Sequence, residues 1–243
     1  MPSPPILDGS ASSTVSGTAT CTVTLTTTQA HDVLVLLAVA EKPASGPPAV
    51  STVTSTSGLT WNKRKAFTPT PGVTDIEVWW AYAPSAVTSE VITVTYNMTI
   101  DDFAGVAFGV NGCDQTSPWD PNSSLPQTAT ANGSAPALTG STTNANTFVV
   151  MGIGTGNNAV GSYNTPPSGF TFIKGALNGG GLQYASAGVA YQRETSALSS
   201  STFTWGAALS NTNGGGAFLD ALQAPSGSPP PTSGSSPQLM IIT

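Results

Sequence analysis

Apolar and hydroxyl side chains alternate along much of this chain, with the period of a β-strand. Thr20-Cys21-Thr22-Val23-Thr24-Leu25-Thr26 switches character at every residue, which predicts a strand with one face in a core and one in water. Residues 33–40 form a continuous apolar run of strand length, which predicts a central strand covered on both faces. In the next strand Ile76, Val78, Trp80 and Tyr82 fall on one face, and Glu77, Trp79 and Ala81 on the other. Leu59-Thr60-Trp61 after a Ser-Gly turn and residues 91–96 and 104–110 complete the set. No apolar stretch repeats at the helical period behind a capping residue, so no helix is predicted.

The second half says the same thing again. Thr27-Thr28-Gln29-Ala30-His31-Asp32-Val33 aligns with Thr142-Thr143-Asn144-Ala145-Asn146-Thr147-Phe148, and Ser57-Gly58-Leu59-Thr60-Trp61 with Ser168-Gly169-Phe170-Thr171-Phe172. Trp80-Ala81-Tyr82 aligns with Val189-Ala190-Tyr191, and Thr93-Val94-Thr95-Tyr96 with Thr202-Phe203-Thr204-Trp205. Order is kept and only loop lengths differ, so the chain is read as an internal duplication of about 110 residues. The expected fold is all-β, an antiparallel β-sandwich of jelly-roll-like type built from two repeats, with about twelve strands. The two copies are expected to pair into a single sandwich, each covering the other's apolar face; two separate small sandwiches are the alternative. The expected organisation is an N-terminal arm and lead-in strand over 1–19, a first repeat over 20–121 and a crossover over 122–137. A second repeat over 138–224 follows, then a Pro/Gly/Ser linker and apolar C-terminal strand over 225–243.

Composition narrows the function classes. Thr (35) and Ser (29) make up 64 of 243 residues, whereas only 7% are charged, against roughly 25% in an ordinary soluble domain. Six Lys and Arg, spread thinly, form no basic stripe, so no nucleic-acid partner is expected. No stretch approaches 18 apolar residues, so no membrane-spanning helix is expected. Met1-Pro2-Ser3-Pro4-Pro5 lacks a basic segment and an apolar core, so no secretory signal is read there. Cys21 and Cys113 form either one bridge or two buried thiols.

The punctuation of the first repeat resembles a known kind of domain. Ser57-Gly58-Leu59-Thr60-Trp61, then Ile76-Glu77-Val78-Trp79-Trp80-Ala81-Tyr82-Ala83, then a strand from Phe103 into Asn111-Gly112-Cys113-Asp114 closed by Pro118-Trp119-Asp120, is similar to β-rich domains of phage virion proteins and secreted microbial surface proteins. The resemblance implies a jelly-roll or concanavalin-like fold at a virion or extracellular surface. It carries no catalytic signature.

Candidate chemistry is sparse. His31 is the only histidine, and a neighbour such as Asp32 on a strand points to the opposite face, which disfavours a Ser–His–Asp triad. One His and two Cys make no zinc site without a carboxylate. Asp101, Asp102, Asp114 and Asp120 are the only acidic clusters recognised. They flank the strand 104–110, too far apart for one glycosidase pair, and stand as weak Ca²⁺ candidates. Trp79 and Trp119, without an apolar partner in the alignment, are the candidates for a sugar-stacking platform or an inter-subunit anchor. Leu239, Met240, Ile241 and Ile242 at the end of the linker are the candidate assembly tail, fitted to a neighbour's sheet edge. Asn97, Asn122 and Asn132 head glycosylation sequons. The reading is a non-enzymatic virion structural or surface subunit without a cofactor, its partners copies of itself or other surface subunits. A secreted carbohydrate-binding adhesin module that takes cell-surface glycans is the alternative.

Overall fold

A computed structural model describes residues 3–226 apart from positions 43, 71, 132, 157–162, 179–184 and 210–213. The candidate tail 239–242 and the sequon residue Asn132 lie outside the described residues. Fifteen strands form antiparallel sheets, and no helix occurs among the described residues. The first eight are β1 (Ile6–Ser16), β2 (Thr20–Leu25), β3 (Asp32–Glu41), β4 (Val50–Ser55), β5 (Asn62–Phe67), β6 (Thr74–Ala83), β7 (Glu90–Tyr96) and β8 (Asp102–Asn111). The remainder are β9 (Gln127–Thr130), β10 (Ala137–Gly140), β11 (Thr147–Gly156), β12 (Thr171–Leu177), β13 (Ala185–Glu194), β14 (Ser201–Thr204) and β15 (Gly215–Gln223).

The duplication is visible in the strand order. The first half has a five-stranded sheet β1-β8-β3-β6-β5 and a three-stranded sheet β2-β7-β4. In the second half β9-β15-β11-β13-β12 repeats the five-stranded order, and β10-β14 repeats β2-β7. Strands 1-8-3-6 facing 2-7-4 is jelly-roll order, with β5 moved to the edge of the larger sheet. β9 arises from the segment 122–137, which is therefore more than a crossover: it supplies the counterpart of β1.

The expected single sandwich is replaced by two sandwiches stacked in four layers. One core, with Leu34, Leu36, Trp79 and Ile92, lies between the two sheets of the first half. Its counterpart in the second half holds Met151, Ile153, Leu219 and Trp205. A third, with Val35, Leu37, Val78, Phe108, Phe148, Val150 and Val189, joins the two five-stranded sheets face to face. The inner sheets are thus covered on both sides, which is why every residue of β3 and of β11 is buried. The strand orders run in opposite senses across this joint, β1 meeting β12 and β3 meeting β11, so the halves are related by an approximate two-fold.

Pairing corrects the alignment of the halves. β5 bulges at Arg64 and β12 at Ile173, so Trp61 stands at Phe170, not Phe172, and both are buried in equivalent cores. Val33 pairs with Tyr82 and Phe148 with Arg193, so Trp80 corresponds to Tyr191 and Trp79 to Ala190. Leu25 pairs with Glu90 and Gly140 with Ser201, so Trp205 corresponds to Val94 rather than Tyr96. A slip of two residues preserves which face each side chain takes, so alternation alone does not detect it.

Candidate functional site

Polar side chains with chemical potential gather in three places. The first is a turn built twice. Thr27 N donates to Val87 O at 2.8 Å and Val87 N to Thr27 Oγ1 at 3.2 Å; Thr142 and Leu198 repeat the exchange at 3.1 and 2.9 Å. Each turn ends on a residue with positive φ, His31 at 67° and Asn146 at 57°. Each is clamped by an aspartate. Asp8 accepts Thr28 N at 2.9 Å, Gln29 N at 2.7 Å and the Thr28 hydroxyl at 2.7 Å, and Asp120 accepts Thr143 N at 2.8 Å and Asn144 N at 2.9 Å. Burial works upward on Asp8, but the hydrogen bonds from Thr28 and Gln29 outweigh it and hold its carboxyl below the ordinary value. Gly9 (φ 84°) lets β1 turn past this clamp, since a Cβ there would meet Thr26 O at 2.2 Å. Asp32 beside it is fully buried and receives Asn111 Nδ2 at 2.9 Å. Burial, with Asp8 facing it, pushes Asp32 up to about 6. On the exposed side the Tyr82 hydroxyl donates to Gln115 Oε1 at 3.0 Å and bonds His31 Nδ1, the two rings lying stacked.

The second place lies inside the first sandwich. Glu77 accepts Val50 N at 2.9 Å, Trp79 Nε1 at 2.8 Å and Lys63 Nζ at 2.8 Å. Asp75, two residues away on the same face and 4% exposed, is pushed up to about 8 by burial and by the Glu77 charge. The corresponding residues in the second half are Ser186 and Gly188. At Gly188 a Cβ would stand 2.0 Å from Tyr163 O, so there a chain segment fills the space that Glu77 takes in the first half.

The third place is the joint. Arg64 Nε and Nη2 donate to Asp220 at 2.8 and 3.1 Å, and the guanidinium lies 4.9 Å from the Trp119 ring centre. Asp220 is buried, and burial outweighs the guanidinium in raising its carboxyl. The two-fold counterparts of this pair are Ile173 and Phe108, both in the apolar core of the joint. At the opposite edge Asn178 Nδ2 donates to Asp102 Oδ1 and Ser16 Oγ, each at 2.8 Å, and Arg193 donates to the carbonyls of Pro4 and Pro5.

The sequence-derived candidates fall into this framework. Trp79 and Trp119 are 9% and 8% exposed, so neither presents a stacking face. Trp119 bridges Leu222 as Leu7 pairs with Val110, which gives it the apolar counterpart the alignment missed. Asp101 pairs with Lys42, and Asp102 accepts Ser16 Oγ at 2.6 Å. Asp114 closes its own turn with Ser117 N and Thr116, whose hydrogen bonds hold its carboxyl low. Among the described residues no three His, Cys, Asp or Glu side chains converge as metal ligands. Cys21 and Cys113 are separate buried thiols, pushed up by burial. A shallow groove of about 450 Å³ near Asp114, Asn144 and Gln223 has its polar lining occupied, with Asn144 bonded to Gln223 at 2.6 Å. Asp8, Asp75, Glu77, Arg64 and Asp220 were not singled out from sequence. Carrying the repeat upstream of Thr20 would have paired Asp8 with Asp120. The other four have no acidic or basic counterpart in the repeat and left no signal.

No protein-family model matches the chain, and neither does any curated protein or solved structure.

Proposed function

We propose that this chain is a non-enzymatic structural or surface subunit, of the kind that decorates a virion or forms part of its spike or tail fibre, and that it acts through contacts with copies of itself or with other subunits. One observation supports the reading more than any other. The ionisable and aromatic side chains of these three places are spent on architecture: Asp8 and Asp120 hold turns, Arg64, Asp220 and Trp119 hold the joint, and Glu77 holds β4 and Trp79. A chain with so few charges that commits them to its own framework suits a rigid spacer. The four-layer stack favours the same role, because a largely apolar joint between two jelly rolls makes one stiff body of them. Mass spectrometry of density-gradient-purified particles from the source tests the proposal. The chain is expected as a stoichiometric component; its recovery only as free protein, or at the trace level of a contaminant, refutes it.

A further inference from the structure

We propose that the outer face of the three-stranded sheet β2-β7-β4 is an ice-binding surface, a grid of threonines that orders water on the repeat of an ice plane. The inference does not depend on the assembly reading above.

Pairing places the threonines in rows. Thr20, Thr95 and Thr52 lie side by side across the three strands, and Thr22, Thr93 and Thr54 form the next row. Thr24 and Val91 open a third, which Thr56 completes through hydrogen bonds with Val91 in both directions. The residues between them, Cys21, Val23, Ile92, Val94 and Val53, point inward and are buried, so the outward positions are threonine at every place in the first two rows. Neighbours along a strand repeat at about 6.6–6.8 Å and neighbours across strands at about 4.7–4.9 Å. Water oxygens on the prism faces of hexagonal ice repeat along two directions close to these spacings.

Three further observations select water in a lattice as the occupant. The face carries no outward charge: Glu90, the one acidic or basic residue in these strands, is 4% exposed and turned to Ser57 and Thr56. Charges hold their own hydration shells and would disrupt an ordered layer. The face carries no aromatic ring either, which removes the platform on which sugar rings stack. Threonine is stiff at χ1, so each methyl–hydroxyl pair keeps a fixed orientation and little side-chain freedom is lost when water orders against it. The hydroxyls of Thr20, Thr22, Thr52, Thr54, Thr93 and Thr95 are not taken up by hydrogen bonds to other described residues. Among the described residues the corresponding sheet of the second half has two strands, and Thr139 and Thr202 bond each other at 2.7 Å.

The test is ice-affinity partition of the full chain, scored against a non-binding protein of similar mass and supported by inhibition of ice recrystallisation. The wild type is expected to concentrate in slowly grown ice. T93K, on the central strand, and T22K and T54K, on the two edges, are each expected to lose that enrichment while melting within a few degrees of wild type. Should T93K fail to fold, the two edge variants still decide the matter. Exclusion of the wild type from ice overturns the proposal, as does retention of ice affinity by folded T22K and T54K. Two parallel measurements can also overturn it: binding to crystalline cellulose or chitin, or formation of a dimer in sedimentation, that the same variants abolish while ice enrichment stays at the control level.

Discussion

Removing Arg64 isolates a buried charge, and the repeat itself supplies the remedy. The Asp220 side chain is 1% exposed and takes two hydrogen bonds from a guanidinium that also lies against Trp119. Arg64→Ala leaves that carboxylate without its partner in the joint between the sandwiches. Breaking a buried pair from one side costs about 3–5 kcal/mol; Arg64 keeps 22% of its side chain in water, which puts the expectation near the lower end, about 3 kcal/mol. For a chain of this size that corresponds to a fall in Tm of about 6–12 °C. The two-fold counterparts, Ile173 and Phe108, show what an apolar version of the same contact looks like. Arg64→Ile with Asp220→Phe therefore copies a pairing the molecule already contains, and replacement of a buried ion pair by packed apolar groups is often neutral or stabilising by about 1–4 kcal/mol. The double variant is expected to regain at least half of what Arg64→Ala loses. The assay is a double-mutant cycle by urea unfolding, followed by circular dichroism. A loss below about 1 kcal/mol for Arg64→Ala would show that the pair is a surface ornament. A double variant no better than Asp220→Phe alone would show that the halves are not equivalent at this contact.

Three other outcomes follow from the same geometry. Asp8→Ala removes the acceptor of two backbone N–H groups and the Thr28 hydroxyl, and Asp120→Ala the acceptor of the N–H groups of Asn122, Thr143 and Asn144; each is expected to cost about 1–3 kcal/mol in chemical unfolding. Asp32 and Asp75 bind protons more tightly folded than unfolded, so their contribution is full below the ordinary value of 3.8 and fades as pH rises through about 6 and about 8. Asp8, Glu90 and Asp114, held low, lose theirs only below their ordinary values, so Tm is expected to be highest near the ordinary carboxylate range, about pH 4, and clearly lower at pH 8.5, with Asp75→Asn flattening the upper part of the profile. Gly188→Ala places a Cβ 2.0 Å from the Tyr163 carbonyl and is expected to lower Tm sharply, whereas Gly17→Ala, with open space around it but φ of 68°, is expected to cost only about 1 kcal/mol.

The strands and the duplication were legible because both rest on alternation and on local turn chemistry. Thr27-Thr28-Gln29-Ala30-His31 and Thr142-Thr143-Asn144-Ala145-Asn146 look alike because each must place an acceptor for a distant loop, β6–β7 or β13–β14, and end in a left-handed residue. The layer count was legible in principle. A two-layer sandwich leaves one face of every sheet in water, yet residues 33–40 and 104–110 are apolar without a break. Such runs require cover on both faces, and the joint between the five-stranded sheets provides it. β4 escaped notice because Val50–Ser55 carries two buried residues separated by a bulge, which breaks the period of two.

The placement of the polar residues was not legible, for a reason specific to duplicated chains. Comparison of two copies treats a position as core when both copies are apolar, and flags a large side chain with no apolar counterpart as surface. That logic fails once the copies pack asymmetrically. Trp79 stands opposite Ala190 because in the first half its indole nitrogen serves Glu77, whereas in the second half the equivalent of Glu77 is Gly188 and a passing chain fills the gap. Arg64 stands opposite Ile173 because its partner Asp220 stands opposite Phe108. Each substitution is intelligible only with its partner, and the partners are 156 residues apart in the case of Arg64 and Asp220. A single sequence shows one member of such a pair as an anomaly; only the pairing of the strands shows that two anomalies compensate each other. Polar residues that differ between the halves are therefore the place to look for what tells one half from the other. The threonine grid follows the same rule, since among the described residues it too is present on one outer sheet and reduced on the other.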